Sequence, residues 1–181
     1  LCRGVLLQYG SSIPTMPPTA YRAIVEQIDS LSYNVRGFRF KLVDPPAIPF
    51  QAGQFVILNV PKDGSIVKRA YSIASPPHET NAIDLCIQKV DGGVASTYFW
   101  GLKVGETVSI TGPHGRFLLK EPIDYEPIFM ATGTGVAPLR SMIKRLIHLN
   151  FTKNVWLLFG TRYEHACSTR RSFDPWRACG T

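Results

Sequence analysis

The sequence has few cysteines, no long apolar run and fewer acidic than basic residues. Its four cysteines are Cys2, Cys86, Cys167 and Cys179, and no two of them have the C-x-x-C spacing. Their distribution argues against a zinc site or an iron–sulfur cluster bound by this chain, so we expect no metal. We expect the thiols to be unpaired, which is typical of a reducing, cytoplasmic compartment.

The apolar stretches are too short to cross a membrane. The longest, such as Val155–Phe159, have about five residues, whereas a spanning helix needs about 20. The first 18 residues show no periodicity, and the apolar run Val5–Leu7 is too short for the core of a secretory signal. We interpret residues 1–18 as a leader or linker rather than a cleaved signal.

Acidic residues are in the minority, with 13 Asp and Glu against 20 Lys and Arg, which gives a net charge of +7. This excess is compatible with an acidic protein partner or with phosphate-bearing ligands, although for any one charge a mildly basic solvated surface is the preferred interpretation. The basic residues are not interleaved with aromatic residues in the way that nucleic-acid-binding proteins show. The sequence therefore predicts no nucleic-acid partner.

Short strands separated by Gly and Pro turns are predicted between residues 20 and 120. Phe38, Phe40 and Leu42 alternate with Arg39 and Lys41, which is the period of a strand with one wet face. Several strands of this kind favour an all-β barrel or sandwich. The predicted segments are Ala20–Ile28, Phe38–Leu42, Gln54–Val60, Val67–Ile73, Ile83–Ile87 and Val108–Ile110.

The following part has the pattern of a strand–helix–strand unit. Pro127–Ala131 and Val155–Phe159 are continuous apolar runs, as in strands that are buried on both faces. Pro138 is predicted as the first helical residue, where its missing N–H costs little, and Asn150 as the residue that ends the helix. The two strands should be parallel with a right-handed crossover. The apolar helix face consists of Leu139, Met142, Ile143, Leu146 and Ile147.

The turn Thr132–Pro138 joins the first of these strands to the helix. Gly133 and Gly135 allow a sharp turn and the close approach of a phosphate, and the helix N-terminus behind them offers N–H groups and a positive dipole end. This arrangement predicts a pyrophosphate site. The spacing is G-x-G-x-x-P, which departs from the strict dinucleotide fingerprint, so a plain tight turn is the alternative.

Gly160, Thr161 and Arg162 follow the second strand, at the carboxyl end where parallel sheets bind ligands. Arg162 could contact a ribose or a 2′-phosphate. The alternative is a solvated loop arginine.

A second candidate segment is Arg69-Ala70-Tyr71-Ser72 within a predicted strand. Because side chains alternate, Arg69 and Tyr71 share one face while Ala70 and Ser72 share the other. An aromatic ring beside a guanidinium can stack on a planar cofactor while the cation holds its phosphate. The alternative is that Tyr71 only packs, as tyrosines in strands commonly do.

A third candidate segment is Asp91–Thr97, in which Gly92 and Gly93 precede a short helix-like stretch. The amides from about Val94 to Thr97 would form another anion cradle. A Gly-Gly hairpin turn is the alternative.

Together these segments resemble the ferredoxin–NADP reductase superfamily. The match consists of RAYS at Arg69–Ser72, GGVAS at Gly92–Ser96, GPHGRF at Gly112–Phe117 and GTGVAP at Gly133–Pro138, with support from AGQF at Ala52–Phe55. The resemblance extends from residue 21 to residue 164. It implies a six-stranded antiparallel Greek-key flavin-binding barrel over residues 19–121, then an incomplete Rossmann-like parallel α/β domain that binds NAD(P) over residues 122–165.

The resemblance also implies roles for individual residues. Arg69 would bind the flavin pyrophosphate, Tyr71 would stack on the isoalloxazine, and Ser72 would hydrogen-bond near the flavin N5. Thr134 would lie near the reacting rings, so Ser72 and Thr134 are the predicted catalytic residues. The predicted cofactor-binding residues are Arg69, Ala70, Tyr71, Ser72, Ile87, Lys89, Gly92, Gly93, Val94, Ala95, Ser96, Gly133, Thr134, Gly135, Pro138, Gly160, Thr161 and Arg162.

The activity implied by the resemblance is electron transfer from NAD(P)H through FAD to a one-electron acceptor. FAD is expected in preference to FMN, and an acidic iron–sulfur or haem protein is the expected acceptor. The alternatives are a flavin-binding module without catalysis, an inactive truncated product, or a barrel that binds an apolar ligand and no cofactor.

The amino-acid sequence after His165 no longer resembles that of the ferredoxin–NADP reductase superfamily. One permitted codon choice for Ala166–Phe173, read one register later, encodes Leu-Leu-Tyr-Pro-Glu-Glu-Phe, which resembles the family at this place. We therefore expect a one-base deletion near residue 166 and an aberrant tail over residues 166–181, with chance as the alternative. The coding DNA decides between them. A parallel sheet that is left with two strands should bind nicotinamide weakly or not at all and expose the edge of Val155–Phe159.

Overall fold

A computed structural model describes residues 18–120 and 122–160 of the chain. The first part of this described chain consists of antiparallel strands and one short helix, and the second part is a strand–helix–strand unit. The elements are β1 (Thr19–Ser32), β2 (Val35–Asp44), β3 (Phe55–Lys62), β4 (Ser65–Ser72), β5 (Ala82–Gln88), α1 (Val94–Gly101), β6 (Thr107–His114), β7 (Ile128–Thr132), a 3₁₀ turn (Gly133–Gly135), α2 (Val136–His148) and β8 (Trp156–Gly160).

Strands β1 to β6 form one antiparallel sheet in the order β4-β3-β6-β1-β2-β5. Its two end strands meet at a single bridge between Ile73 and Leu85, so the sheet folds back on itself in the manner of a barrel. The predicted alternation is confirmed, because Phe38, Phe40 and Leu42 are buried inside the sheet. All six predicted strand segments are present, each with bounds that differ by a few residues from the prediction.

Helix α1 is fixed to the barrel by an aromatic cluster around Phe99. The Phe99 ring lies edge-on to Phe38, Phe40 and Tyr71, with centroid distances of 6.0, 6.5 and 5.9 Å. Phe99 is 1% exposed, and burying a side chain of this size stabilises a fold by about 1.5–3 kcal/mol. The start of α1 is therefore held at a fixed place beside β4.

The second part of the described chain is the predicted strand–helix–strand unit. β7 and β8 pair in parallel, with Ile128 opposite Trp156, and α2 buries Leu139, Met142 and Ile143 against them. The prediction for Pro138 was wrong by two positions. The helix begins at Val136, so Pro138 is the third helical residue, still within the first turn, where backbone amides precede the intrahelical hydrogen bonds.

The end of α2 is the one predicted from Asn150. This residue adopts a left-handed conformation with φ of 53°. The amide of Asn150 donates to the carbonyl of Ile147 at 3.0 Å, and the amide of Phe151 donates to that of Leu146 at 3.1 Å. This is the hydrogen-bond pattern of a Schellman motif, in which Asn replaces the usual Gly.

One face of the β7–β8 pair is exposed on the side away from α2. Ile128, Met130, Trp156 and Leu158 are 64%, 74%, 58% and 54% exposed. The sequence predicted an exposed edge of Val155–Phe159, which is a different feature and stays a prediction. No described helix is long and apolar enough to cross a membrane.

The segment Ala52–Phe55 joins the barrel to α2. Ala52 belongs to the apolar cluster of α2 and β7. Gly53 has φ of +102°, and a Cβ there would lie 1.9 Å from the Phe117 carbonyl oxygen and 2.4 Å from Met142 Cε. Only glycine fits this position, so the two parts of the chain pack directly on each other.

Candidate functional site

A cleft of about 510 Å³ lies where the barrel meets the start of α2. Its volume is in the range of cavities that bind cofactors and drug-sized molecules. All three candidate segments contribute to its walls, together with residues from β5. The lining residues are Arg69, Ala70, Tyr71, Ser72, Cys86, Gln88, Val90, Gly93, Val94, Ala95, Ser96, Thr134, Gly135 and Ala137.

The cleft opens at the place where the barrel sheet is not fully paired. Strands β4 and β5 are the two ends of the sheet order and join at the Ile73–Leu85 bridge. On one side of this bridge, residues 69–72 of β4 and residues 86, 88 and 90 in and after β5 line the cleft. An edge strand presents backbone N–H and C=O groups as well as side chains to a ligand.

Tyr71 supplies a half-buried aromatic wall. Its ring is held edge-on by Phe99 at 5.9 Å, and burial raises the pKa of its hydroxyl, while the nearby Arg69 guanidinium acts in the opposite direction. Arg69 is exposed and donates one hydrogen bond to the Lys68 carbonyl at 2.9 Å. The predicted aromatic–guanidinium pair is therefore present at the cleft.

The glycine loop before α1 presents backbone amides to the cleft. Gly92 has φ of +69°, and a Cβ on Gly93 would lie 2.8 Å from Ser96 Oγ and 3.0 Å from the carbonyl oxygen of Val90. The amides of residues 94–96 precede the first hydrogen bond of the helix, which Thr97 donates to the Gly93 carbonyl at 2.9 Å. Such amides at a helix start are suited to bind an anion.

The Ser96 side chain supports this loop. Its hydroxyl accepts a hydrogen bond from the Val90 amide at 3.1 Å and lies within donating distance of the carbonyls of Val90 and Gly93, at 3.0 and 3.1 Å. Because Ser96 is 4% exposed, its hydroxyl serves the loop, and its backbone amide is the group that can serve a ligand.

The turn Gly133–Gly135 contributes Thr134 and Gly135 to the lining of the cleft. Gly133 has φ of +52°, which favours glycine, whereas Gly135 has a helical φ of −61° that any residue adopts. A Cβ on Gly135 would meet no described atom within 4 Å. Backbone geometry and packing therefore do not require glycine at position 135, but an anion that approaches the helix N-terminus closely would require it.

The structure brings most of the predicted site residues together. Both predicted catalytic residues, Ser72 and Thr134, line the cleft. Ile87 lies fully buried in the barrel core, and Lys89 is exposed beside the cleft, with its amide bonded to the Asn34 carbonyl at 2.8 Å. Gly92, Gly133, Pro138 and Gly160 are near the cleft segments but outside the lining, while Thr161 and Arg162 lie outside the described residues.

Sequence reasoning missed Cys86, Gln88, Val90 and Ala137, which line the cleft. The period of the strand contains the signal for the first two, because Ile83, Leu85 and Ile87 face the core and the residues between them must face outward. Burial raises the pKa of the Cys86 thiol to about 12. This thiol is therefore a protonated, apolar part of the wall rather than a nucleophile.

A second, smaller cleft of about 250 Å³ lies between β1, β2, β5 and α2. It is lined by charged side chains, which include Arg39, Asp84, Arg140 and Lys144. Cys86 lines both clefts, so the charged cleft lies immediately behind the floor of the larger one.

Comparison with known protein families assigns both parts of the chain. Residues 22–118 match the model of the oxidoreductase FAD-binding domain, and residues 129–179 match that of the oxidoreductase NAD-binding domain. The second match extends into residues 166–179, for which the sequence predicted a shifted reading frame. The match and the frameshift hypothesis point in opposite directions there, and the hypothesis stays a prediction.

Individual relatives agree with the family models. The chain is 41% identical over 144 residues to ferredoxin–NADP reductase B of Sorangium cellulosum, covering 80% of this chain and 59% of that protein. It is 38% identical over 144 residues to the phenol hydroxylase P5 protein of Acinetobacter pittii, covering 78% and 39% of the two chains. The crystal structure of the Amycolatopsis cytochrome P450 reductase GcoB superposes with a TM-score of 0.76 at 28% identity, covering 89% and 51%.

The chain thus spans between about two fifths and three fifths of the length of these relatives. Within that span it has the six-stranded antiparallel sheet and the strand–helix–strand unit that the resemblance implies. The chain belongs to the ferredoxin–NADP reductase superfamily, whose members are oxidoreductases with an FAD-binding domain followed by an NAD-binding domain.

Proposed function

We propose that this protein transfers electrons from NAD(P)H through FAD to a one-electron acceptor such as a ferredoxin or an oxygenase component. The observation that carries the proposal is the meeting of the Arg69–Ser72 strand, the Gly92–Ser96 loop and the Gly133–Gly135 turn around one cleft. These three segments are separated in sequence, and the fold gives them a common ligand-sized space. Names of relatives, which include a ferredoxin–NADP reductase, support the same activity.

The residues of the cleft fit a flavin dinucleotide. The exposed Arg69 guanidinium and the amides of residues 94–96 are donors suited to a pyrophosphate, and the Tyr71 ring offers a flat surface suited to an isoalloxazine. The open space beside Gly135 fits a phosphate group of a second ligand. This fit supports FAD and a nicotinamide dinucleotide as the two ligands.

Within the cleft, the chain's own residues position the ligands. Arg69 and the loop amides would neutralise the flavin pyrophosphate, and Tyr71 would orient the ring system. Ser72 and Thr134, which both line the cleft, would hydrogen-bond near the reacting atoms. The chemistry itself, acceptance of a hydride and release of single electrons, would be supplied by the bound flavin.

A second candidate function is a flavin-binding module that does not bind nicotinamide. Such a module would bind FAD through the barrel cleft and would bind NAD(P)H weakly.

The kind of electron acceptor is proposed from the net charge of the chain, and the cellular location from the chemistry of its thiols. A net charge of +7 favours an acidic acceptor protein. The partly buried, unpaired Cys86 is typical of a reducing compartment and supports a cytoplasmic location.

The experiment that tests the proposal is anaerobic reduction of the FAD-loaded protein. We expect bleaching of the flavin absorbance on addition of NADH or NADPH. If FAD binds but neither NADH nor NADPH bleaches it, even at millimolar nucleotide concentration, the second candidate, a flavin-binding module, is supported instead. A colourless protein that takes up no FAD would exclude both candidates.

A further inference from the structure

Arg140 connects α2 to the barrel directly behind the cleft. One terminal nitrogen of Arg140 donates to the carbonyl oxygen of Ala74 at 2.8 Å and to Oδ2 of Asp84 at 3.1 Å. The side chains of Arg140 and Asp84 are only 16% and 21% exposed. Partly buried charged hydrogen bonds of this kind are stronger and less screened by salt than surface ion pairs.

Asp84 is held from its other side by Arg39. Arg39 binds Oδ1 of Asp84 at 2.8 Å, Glu79 at 3.0 Å and Glu26 at 3.1 Å. Burial lowers the pKa of Arg39, but Glu79 and Asp84 outweigh this effect and raise it above the ordinary arginine value. Each carboxylate oxygen of Asp84 therefore has its own guanidinium partner, and the orientation of the carboxylate is fixed.

The partners of Arg140 lie beside the two walls of the cleft. Ala74 follows the cleft residue Ser72 by two positions, and Asp84 precedes the cleft residue Cys86 by two positions. Arg140 itself lies on the second turn of α2, and Gly135, the residue directly before α2, lines the cleft. A displacement of this contact would change the distance between Arg69–Ser72, which would bind the flavin, and the Gly133–Gly135 turn, which would bind the nicotinamide dinucleotide.

We propose that Arg140 and Asp84 are positioning residues that set the distance between the flavin-binding strand and the nicotinamide-binding turn. The inference rests on the proposed function for its effect on hydride transfer, but the docking of α2 that it describes does not depend on any cofactor. Because Arg39 still neutralises Asp84 when Arg140 is replaced, the barrel keeps its own ion pairs. The replacement of Arg140 therefore weakens the contact between α2 and the barrel rather than the barrel itself.

Lys144 provides a matched control on the same helix. It lies one turn after Arg140, is half-buried and lines the same charged cleft. Among the described residues the ion pairs of this cluster are made by Arg39 and Arg140. Burial and the nearby Arg140 lower the pKa of Lys144, while Asp84 and Glu79 act in the opposite direction. K144Q therefore removes a charge from the same helix and leaves the Arg140 hydrogen bonds in place.

The test compares R140Q, R140K and K144Q in the FAD-loaded protein. We expect R140Q to leave the Kd for FAD within about twofold and to slow flavin bleaching at saturating NAD(P)H by about tenfold or more, because a small misplacement of reacting groups has a large effect on rate. R140K should recover part of the rate, and K144Q should remain within about twofold of the unmodified protein. Equal rates for R140Q and K144Q, or a defect confined to FAD affinity, would overturn the proposal.

Hydrogen exchange separates this inference from the proposed function. We expect R140Q, and not K144Q, to raise amide exchange across residues 133–140 several-fold while the barrel amides of residues 19–60 stay unchanged. If the unmodified protein is not bleached by NAD(P)H, the proposed function fails, and the exchange measurement still decides the docking role. Identical exchange in R140Q and K144Q would contradict it.

Discussion

Replacing Arg69 with alanine should weaken FAD binding without destabilising the fold. The Arg69 side chain is exposed, and its hydrogen bond goes to the carbonyl of its neighbour Lys68. Removing an exposed side chain of this kind typically changes the free energy of unfolding by less than about 0.5 kcal/mol. The fold of Arg69→Ala should therefore be as stable as that of the unmodified protein.

The effect on FAD follows from the charge of the pyrophosphate. A hydrogen bond to a charged group contributes about 1.5–3 kcal/mol, which corresponds to a rise in Kd of about 10- to 150-fold at 25 °C. The assay is a titration of apoprotein with FAD, followed by flavin fluorescence, with urea denaturation as the stability measurement. Arg69→Lys should recover only part of the affinity, because lysine lacks the planar fork of arginine.

Lys68 is the matched control because it carries the same charge one position earlier on the same strand. Lys68 is exposed and does not line the cleft. Lys68→Ala should change the Kd for FAD by about twofold or less at physiological salt. Equal weakening by Lys68→Ala and Arg69→Ala would refute the reasoning, since the effect would then come from net charge rather than from a contact in the cleft.

Three further changes test other parts of the cleft and its supports. Gly135→Ala should raise the free energy of unfolding by about 0.4–1 kcal/mol and weaken the binding of ADP-ribose. The control is Gly101→Ala at the end of α1, where a Cβ also meets no described atom within 4 Å. This substitution should change the affinity for neither FAD nor ADP-ribose. Ser96→Ala should lower the free energy of unfolding by about 1–3 kcal/mol and weaken FAD binding, because the hydroxyl supports the glycine loop; unchanged urea denaturation would contradict this. The rings of His78 and His148 stack with their centroids 3.8 Å apart. Burial lowers the pKa of His78, and the charge of His148 lowers it further. The unfolded chain then binds the proton more tightly, so stability should fall as the pH drops below about 6.5, and His78→Gln should flatten this dependence in thermal denaturation across pH 5–7.

The strands and the helix could be predicted because their patterns are local. Alternation at Phe38–Leu42 and the apolar face of α2 follow directly from the side-chain periods of strands and helices. The left-handed Asn150 was also predictable, since Asn tolerates this conformation at a helix end. The start of α2 was placed two residues late because proline fits the whole first turn, not only its first position.

The contacts between distant segments could not be read from these patterns. Arg39 looks like a solvent-facing residue of an alternating strand, yet it binds three carboxylates from other segments. Arg140 looks like a polar residue of an amphipathic helix, yet it docks that helix on the barrel. Which polar side chains meet depends on how the sheet folds back at the Ile73–Leu85 bridge, and sequence periodicity contains no information on that bridge.

Strand β5 shows a second limit of prediction from the sequence, which concerns the direction of its side chains. The sequence assigned Ile87 and Lys89 to the cofactor site through the family resemblance, whereas Cys86 and Gln88 line the cleft in the structure. The strand period gives the correct parity, because the buried Ile87 cannot face the core and the cleft at once. Local physics was here the better guide to side-chain direction, and the resemblance was the guide to which strand matters.

The central claim is that the cleft between β4, β5, α1 and the Gly133–Gly135 turn binds FAD. The most direct measurement is a titration of the apoprotein with FAD, with stoichiometry and flavin fluorescence as the readouts. We expect one FAD per chain and strong quenching of its fluorescence, which Tyr71→Ala should largely remove by deleting the aromatic wall. Absence of binding, or binding that neither Arg69→Ala nor Tyr71→Ala affects, would contradict the assignment of this cleft.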